Sequence, residues 1–273
     1  MATEISADYA LGYTNTENDR LMRQANRLAS LTERVFREAG IGPGQRVLDL
    51  GSGMGDVSML LAKLVGPSGE VVGIERDSSS IGRARERVAA SGLTNVTFTQ
   101  SDASQILSDK PFDAAVGRFI LMFLPDPTAV LLSLFKLVRP GGVFAFQEPT
   151  WIPFLASSAR LPLWSKVLGA IHETFLRSGV NPEMGPDLHR IFKEIGLPAP
   201  AMRVETLMGS DAEFTGLITD LFGSLQPLAR QHNVSLESLG EFRTLGQRVQ
   251  SEVITSKTAV CFVPIVGTWA HKA

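Results

Sequence analysis

Five polar side chains stand where apolar runs of the sequence end, and their types could hold a small charged molecule. They are Asp49, Glu75, Asp102, Arg118 and Glu148. Carboxylates accept hydrogen bonds from hydroxyl, amino and ammonium groups, whereas a guanidinium binds a carboxylate. If the apolar runs are parallel strands, their carboxyl ends meet along one edge of a sheet. The five side chains would then share a single cleft.

The segment Val47-Leu48-Asp49-Leu50-Gly51-Ser52-Gly53-Met54-Gly55-Asp56 predicts a strand, a tight turn and a helix. Glycine accepts positive φ and lets a ligand approach the backbone, and the first N–H groups of the helix are free to bind it. A dinucleotide fingerprint needs a sixth-position glycine, but Asp56 stands there. Asp49 and Asp56 would repel a pyrophosphate, so the turn favours a ligand with a cationic end.

Glu75 follows the next buried run, Val71 to Ile74, and lies 24 residues after Gly51. A carboxylate at the end of a second strand can accept both hydroxyls of a ribose. Glu75 therefore indicates a cofactor that contains adenosine, without choosing among such cofactors. The alternative is a solvated acid at a strand end.

The elements that would position these residues alternate between strand and helix. Apolar residues recur at helical spacing from Leu21 to Ala39, and Thr14 with Glu17 resembles a capping box before them. Strands are predicted at 46–50, 71–74, 96–98, 112–119 and 143–146, with helices at 56–65, 79–91 and 131–138. This alternation predicts an α/β fold, a parallel sheet with helices on both faces.

The order of these motifs resembles the class I S-adenosylmethionine-dependent methyltransferases over roughly residues 8 to 150. The glycine turn resembles their first motif, and Leu137-Val138-Arg139-Pro140-Gly141-Gly142 resembles a late one. The resemblance implies a Rossmann-like, doubly wound, seven-stranded sheet, mostly parallel with one antiparallel strand, plus helical cap insertions. It implies S-adenosyl-L-methionine as the cofactor.

The same resemblance implies a set of cofactor-binding residues. Asp102 would bind the adenine amino group, Ala103 would offer its backbone, and Arg118 would meet the methionine carboxylate. An N-cap role for Asp102 and a salt bridge for Arg118 are the alternatives. The implied set is Tyr13, Gln24, Asp49, Gly51, Ser52, Gly53, Glu75, Arg76, Asp102, Ala103 and Arg118.

The amino-terminal segment resembles a lid that folds over the cofactor in some small-molecule methyltransferases. Gly12-Tyr13-Thr14 and the later Arg20 and Gln24 carry this resemblance. The alternative is a helix that only packs on the domain.

Gly117-Arg118-Phe119-Ile120 favours a small-molecule acceptor. Enzymes that methylate nucleobases or glutamine amides typically carry Asn/Asp-Pro-Pro-Tyr at this point, which this sequence lacks. A formal net charge of −2 and the absence of a Lys/Arg run give no footprint for nucleic acid or an anionic membrane. The lone Cys261 and the lack of a leader-like apolar segment predict a cytoplasmic protein.

After Glu148 the sequence becomes rich in aromatic residues, which predicts a cap that lines the acceptor pocket. Its members would be Trp151, Pro153, Phe154, Trp164, Ile171 and Phe175. A second helical block, from Phe214 to Leu225, follows a strand near 202–207. The two blocks could instead form the interface of a homodimer. A last strand would lie within 259–270, where Pro264 requires a bulge or a late start.

The predicted domains are a lid helix region (1–40), a cofactor-binding core (41–150), a helical cap (151–185) and a completion of the core (186–273) with a helical insertion (209–256). Methyl transfer needs an aligned nucleophile, and some acceptors also need a general base. Glu148 and His172 are the candidates for that catalytic base, with Asp126 a weaker one; for His172 a hydrogen-bonded helix-edge histidine is the alternative. No spacing suggests a metal site.

Two other functions stay open at this level. A protein could bind S-adenosylmethionine without transferring its methyl group, as a cyclase or decarboxylase would. An NAD-dependent oxidoreductase is the other, and the missing sixth-position glycine counts against it.

Overall fold

The computed structural model describes residues 15–158 and 160–273, which fall into two compact units. The sheet unit consists of residues 24–151, 182–206 and 263–273. The described residues of the helical unit lie within 15–23, 152–181 and 207–262. The domain boundaries expected from the sequence stay predictions.

The strands of the described chain are β1 (Arg46–Leu50), β2 (Glu70–Glu75), β3 (Val96–Gln100), β4 (Phe112–Arg118), β5 (Val138–Pro149), β6 (Ala201–Glu205), β7 (Met208–Gly209), β8 (Val260–Cys261) and β9 (Ile265–His271). The helices are α1 (Asn15–Glu38), α2 (Asp56–Val65), α3 (Ser78–Ala90), α4 (Pro127–Leu137), α5 (Ile152–Ser157), α6 (Pro162–Arg177), α7 (Met184–Glu194), α8 (Ala212–Gln231) and α9 (Leu245–Thr255).

The sheet unit contains a 7-stranded sheet in the order β3–β2–β1–β4–β5–β9–β6. β1 pairs in parallel with β2 and β4, and β9 runs antiparallel to both of its neighbours, β5 and β6. This arrangement confirms the predicted doubly wound sheet with one antiparallel strand. From β1 the chain first adds β2 and β3 on one side and then crosses to β4 on the other side. Ligands are therefore expected at this switch point, at the carboxyl ends of β1 and β4.

Apolar residues of α1 and α2 cover one face of this sheet. The buried cluster there includes Val35, Phe36, Val47, Leu61 and Val116. On β5, Phe144 contacts Phe192 of α7 and Phe135 of α4. The two covered faces explain why the central strands are apolar on both sides rather than alternating.

Two elements begin well before their predicted positions. α4 begins at Pro127, not at Leu131, because the Asp126 side chain accepts a hydrogen bond from the Ala129 N–H and proline suits the first helical turn. β5 begins at Val138, which pairs with Phe112, and the register shifts before Ala114 pairs with Val143. Residues 139–142 therefore form an irregularity within the strand.

Pro264 lies directly before the last strand of the sheet. β9 starts at Ile265, and the Pro264 carbonyl accepts a hydrogen bond from the Thr150 N–H. The preceding strand, β8, pairs with β7 in a separate 2-stranded sheet. A late strand start, one of the two predicted solutions, keeps the proline out of the ladder.

The helical unit is held together by polar contacts as well as by apolar packing. The Glu252 carboxylate accepts hydrogen bonds from the N–H groups of Leu163 and Trp164, at 2.8 and 2.9 Å, and so caps α6 from α9. Near the start of α1, buried Glu17 pairs with Arg20 and accepts a hydrogen bond from Ser224 of α8. Arg20, expected as a lid residue, thus takes part in a buried ion pair.

Candidate functional site

The glycine turn between β1 and α2 adopts a backbone that only glycine takes easily. Gly51, Gly53 and Gly55 have φ of 67°, 52° and 82°. A Cβ on Gly51 would lie 2.6 Å from the Ile120 side chain, whereas one on Gly53 would meet no described atom within 4 Å. The turn is therefore packed at its first glycine and open at its second.

Ser52 sits between these glycines and is buried. Its N–H donates to the Ile74 carbonyl, and the Gly55 N–H donates to the Ser52 carbonyl. Its hydroxyl has no hydrogen-bond partner within the part of the chain that the structure describes. Because buried polar atoms are nearly always paired, this hydroxyl is suited to a ligand that enters beside Gly53.

Glu75 ends β2 beside this turn. Its carboxylate accepts hydrogen bonds from the N–H groups of Gly53 (3.0 Å), Arg76 (2.8 Å) and Asp77 (2.9 Å). The acid is thus fixed against the glycine turn, half-buried, at the strand end where a ribose-binding carboxylate was predicted.

Asp102 follows β3 and is exposed. One carboxylate oxygen accepts hydrogen bonds from the Ser104 N–H (2.8 Å) and hydroxyl (2.6 Å), and these bonds lower the pKa of the carboxyl. The charge of Arg76 also lowers this pKa, which places that residue near Asp102. Ala103 is half-buried next to it. No helix of the described residues begins directly after Asp102, so these bonds close a turn rather than cap a helix, and they are compatible with a second role for the other carboxylate oxygen.

Asp49 lies within β1, nearly fully buried, and its carboxylate accepts a 2.5 Å hydrogen bond from the Ser58 hydroxyl. Burial raises its pKa from 3.8 to about 7, although the Ser58 bond and the charge of Arg118 act in the opposite direction. A buried acid of this kind gains from a nearby cation. The electrostatics favour a positively charged group at the carboxyl end of β1.

Arg118 ends β4, and one of its guanidinium nitrogens donates to the hydroxyl of buried Thr32 on α1 at 2.9 Å. Among residues 15–158 and 160–273, no carboxylate lies within ion-pair distance of it. Burial lowers the pKa of the guanidinium, and the charges of Asp56 and Asp49 partly oppose this effect. Its remaining N–H donors suit a ligand carboxylate.

Gln147 was not among the predicted site residues. It pairs with Arg118 across β4 and β5, and its buried Oε1 lacks a hydrogen-bond partner in the described part of the chain. Its signal in the sequence is its position directly after the apolar run Val143–Phe146.

The two candidates for a general base belong to different units. Glu148 ends β5 in the sheet unit, fully buried, and burial raises its pKa to about 7. His172 is half-buried on α6 of the helical unit. Gln24 is half-buried on α1, and Tyr13 lies outside the described residues. The catalytic roles and the lid stay predictions.

The aromatic residues expected to line a pocket are covered by their own neighbours. Trp151 and Phe154 are 1% exposed, and Trp164 contacts Phe154 edge to face. Ile171 and Phe175 are also buried, but Pro153 is exposed. The apolar residues of α8 are buried too, including Phe214, Leu217, Leu221 and Phe222. These side chains are not a free surface for a second copy.

No group of His, Cys, Asp and Glu residues in the described chain could hold a metal ion. No helix in residues 15–158 and 160–273 combines the length and apolar character that a membrane crossing requires.

Comparison with known proteins gives consistent results. Residues 41–194 match a family model described as a methyltransferase domain. A ubiquinone/menaquinone biosynthesis C-methyltransferase UbiE from Vibrio vulnificus is 34% identical over 120 residues, 42% of this chain and 46% of that protein. A demethylmenaquinone methyltransferase from Geobacillus kaustophilus is 31% identical over 177 residues, 60% of this chain and 75% of that protein.

A solved structure, of a SAM dependent methyltransferase from Aquifex aeolicus, covers 71% of this chain and 91% of that chain with a TM-score of 0.52. At 23% identity it is similar in fold. The chain spans less than half the length of the first UbiE relatives. The family model covers more than half of the chain, and the cofactor that this match implies is S-adenosylmethionine. The chain belongs to the class I S-adenosylmethionine-dependent methyltransferase family.

Proposed function

We propose that this protein transfers the methyl group of S-adenosylmethionine to a small molecule. The observation that carries the proposal is the glycine turn. A Cβ on Gly53 would meet no described atom within 4 Å, and the nearby Ser52 hydroxyl has no hydrogen-bond partner among the described residues. Glu75 is hydrogen-bonded to the same turn, at the position a ribose would need. These residues fit an adenosine-containing ligand with an amino-acid end.

Different residues of the sheet unit would bind different parts of the cofactor. Glu75 would accept the ribose hydroxyls, and Asp102 with the backbone of Ala103 would bind adenine beside Arg76. Gly51, Ser52 and Gly53 would hold the methionine part. Asp49 favours its ammonium or sulfonium charge, and Arg118 its carboxylate. Gln24 stays a predicted lid residue, as does Tyr13, which lies outside the described residues.

Methyl transfer requires few further groups from the protein. The cofactor supplies an activated methyl group, so the rate depends on holding the nucleophile in line at about 3–3.5 Å and on excluding water. A general base is needed only for an acceptor that must lose a proton, and His172 and Glu148 stay the predicted candidates.

The relatives support a small-molecule acceptor, because one is a ubiquinone/menaquinone biosynthesis C-methyltransferase and another is a demethylmenaquinone methyltransferase. A quinone-like carbon acceptor is the substrate class we propose to test first. A cyclase or decarboxylase role is not favoured, since relatives more than 30% identical carry methyltransferase names. A cytoplasmic location, a homodimer, and the absence of nucleic-acid and membrane partners stay predictions.

Thermal unfolding with added ligands tests the cofactor assignment. We expect S-adenosylmethionine and S-adenosylhomocysteine to raise Tm, and NAD to leave it unchanged, because only a ligand that binds the native state stabilises it. Glu75→Ala and Asp102→Ala should each weaken both shifts. Glu70→Ala, at the opposite end of β2, is the control and should not. A Tm increase with NAD alone would refute the proposal.

A further inference from the structure

Glu148 is a fully buried carboxylate whose partners are backbone N–H groups. Its Oε1 accepts hydrogen bonds from Ile120 (3.0 Å) and Leu121 (2.8 Å), and its Oε2 accepts a longer one from Met122 (3.4 Å). No charged side chain of the described residues contributes to the raised pKa of Glu148. A carboxylate that accepts from three consecutive N–H groups fixes their backbone strongly.

The segment that Glu148 holds begins at an unusual residue. Phe119 has φ of 54°, in the left-handed region that non-glycine residues rarely adopt, and its N–H donates to the Gln147 carbonyl at 2.9 Å. Such a conformation persists only when its surroundings hold it in place. Here β5 supplies those restraints. The Gln147 carbonyl holds the N–H of Phe119, and the Glu148 carboxylate holds the N–H groups of the three residues that follow it.

Ile120 connects this segment to the glycine turn. Its Cδ1 and Cγ1 lie 2.6 Å from where a Cβ on Gly51 would be, and its Cγ2 lies 2.8 Å from the corresponding point on Gly117. The Ile120 side chain therefore rests on the backbone of Gly51. The contacts run without a gap from the Glu148 carboxylate to the turn that bears Ser52 and Gly53.

We infer that Glu148 is a positioning residue for the cofactor, which holds the Ile120 backbone so that the Ile120 side chain supports the glycine turn. It acts through Ile120, and this role would replace the general-base role that the sequence predicts for Glu148. The inference rests on the proposed function, because it assigns Glu148 a part in forming the S-adenosylmethionine site.

A carboxylate suits this task better than its amide. Both oxygens of ionised Glu148 accept hydrogen bonds, whereas glutamine would turn an NH₂ group toward a backbone donor. A protonated Glu148 has the same defect, since one oxygen becomes a donor. Glu148→Gln therefore imitates the protonated wild-type side chain.

Titration calorimetry with S-adenosylhomocysteine tests the inference. We expect Glu148→Gln to raise Kd about tenfold at about pH 8.5, and the Kd ratio between variant and wild type to fall toward one at about pH 5.5. Ile120→Val removes Cδ1 and should also raise Kd. The double variant should bind no more weakly than the weaker of the two single variants, because both changes break one series of contacts.

Glu183→Gln is the matched control. Its carboxylate accepts hydrogen bonds from the Thr150 hydroxyl and the Trp151 N–H, just beyond the same strand. Both of these partners lie outside residues 119–122 and outside the glycine turn. We expect its Kd within twofold of the wild type, as is usual for a change distant from a binding site.

The outcomes separate the inference from the proposed function. Wild type that fails to bind S-adenosylhomocysteine would refute the proposed function. Wild type that binds, with Kd unchanged in Glu148→Gln and Ile120→Val, would refute the inference alone. A Kd ratio independent of pH, or fully additive effects in the double variant, would also refute it. If Glu148→Gln does not fold, Ile120→Val replaces it, and a Kd equal to that of the wild type would refute the inference.

Discussion

Asp49→Asn should change how the stability of the ligand-free protein depends on pH. In the folded protein burial raises the pKa of Asp49 from 3.8 to about 7. Between these two values the folded state binds more protons than the unfolded state. The free energy of unfolding therefore falls as pH rises through this window, and above about pH 7 the folded protein carries the full cost of a buried charge.

The magnitude follows from the pKa change. A pKa that moves from 3.8 to about 7 corresponds, at 1.36 kcal/mol per pH unit, to at most about 4 kcal/mol. Asparagine carries no charge, and its oxygen can still accept the Ser58 hydrogen bond. About two pH units of this window lie above pH 5, so relative to wild type the variant should gain about 3 kcal/mol of stability between about pH 5 and about pH 8.

Urea unfolding of the ligand-free protein, followed by tryptophan fluorescence at both pH values, measures this gain. Glu148 also has a raised pKa, but it is present in both proteins, so its contribution cancels in the difference. Ser58→Ala is the companion variant. It removes the hydroxyl that stabilises the carboxylate, so it should cost more stability at about pH 8 than at about pH 5. An Asp49→Asn effect that is equal at the two pH values would show that the buried carboxylate does not titrate as argued.

Two further predictions concern the glycine turn and Arg118. Gly51→Ala and Gly53→Ala both place a side chain at positive φ, at about 1–2 kcal/mol, but only the first would collide with Ile120. Gly51→Ala should therefore lower Tm more, while Gly53→Ala should fold and lose S-adenosylhomocysteine affinity; equal Tm values would contradict this. Arg118→Met should raise the Kd for S-adenosylhomocysteine at least about tenfold. Thr32→Val, which removes the described partner of the guanidinium, should change Kd less; the reverse order would assign Arg118 a structural role.

The framework of the sheet could be predicted because its signals are local. The apolar run 46–50, the glycines after it and the acid at 75 each predict a strand or turn from neighbouring residues alone, and the structure has β1 at the predicted bounds. The effect of Pro264 on the last strand could also be predicted. Proline cannot donate to a central ladder, and β9 starts directly after it. The start of α4 also follows a local rule, since Asp126 caps the helix and Pro127 begins it, whereas the apolar pattern alone places the start at Leu131.

The partners of buried polar groups could not be predicted in the same way. Nothing near Glu148 in the sequence indicates that it accepts from residues 120–122, because that contact depends on β4 and β5 lying side by side. The aromatic residues after Glu148 illustrate the same limit. Their spacing predicts helices, but whether Trp164 lines a cavity or fills a core depends on tertiary packing, and it is 1% exposed.

The position of β9 has a consequence for how the protein folds as it is synthesised. β6 hydrogen-bonds only to β9 among the described strands, and residues 206–264 separate the two in the chain. On the ribosome β6 therefore stays unpaired until the helical segment between β6 and β9, and then β9 itself, have been synthesised. Such distant pairing slows folding and leaves an open strand edge exposed to other nascent chains. During synthesis β6, and the edge of β5 that also pairs with β9, are thus open to misassembly.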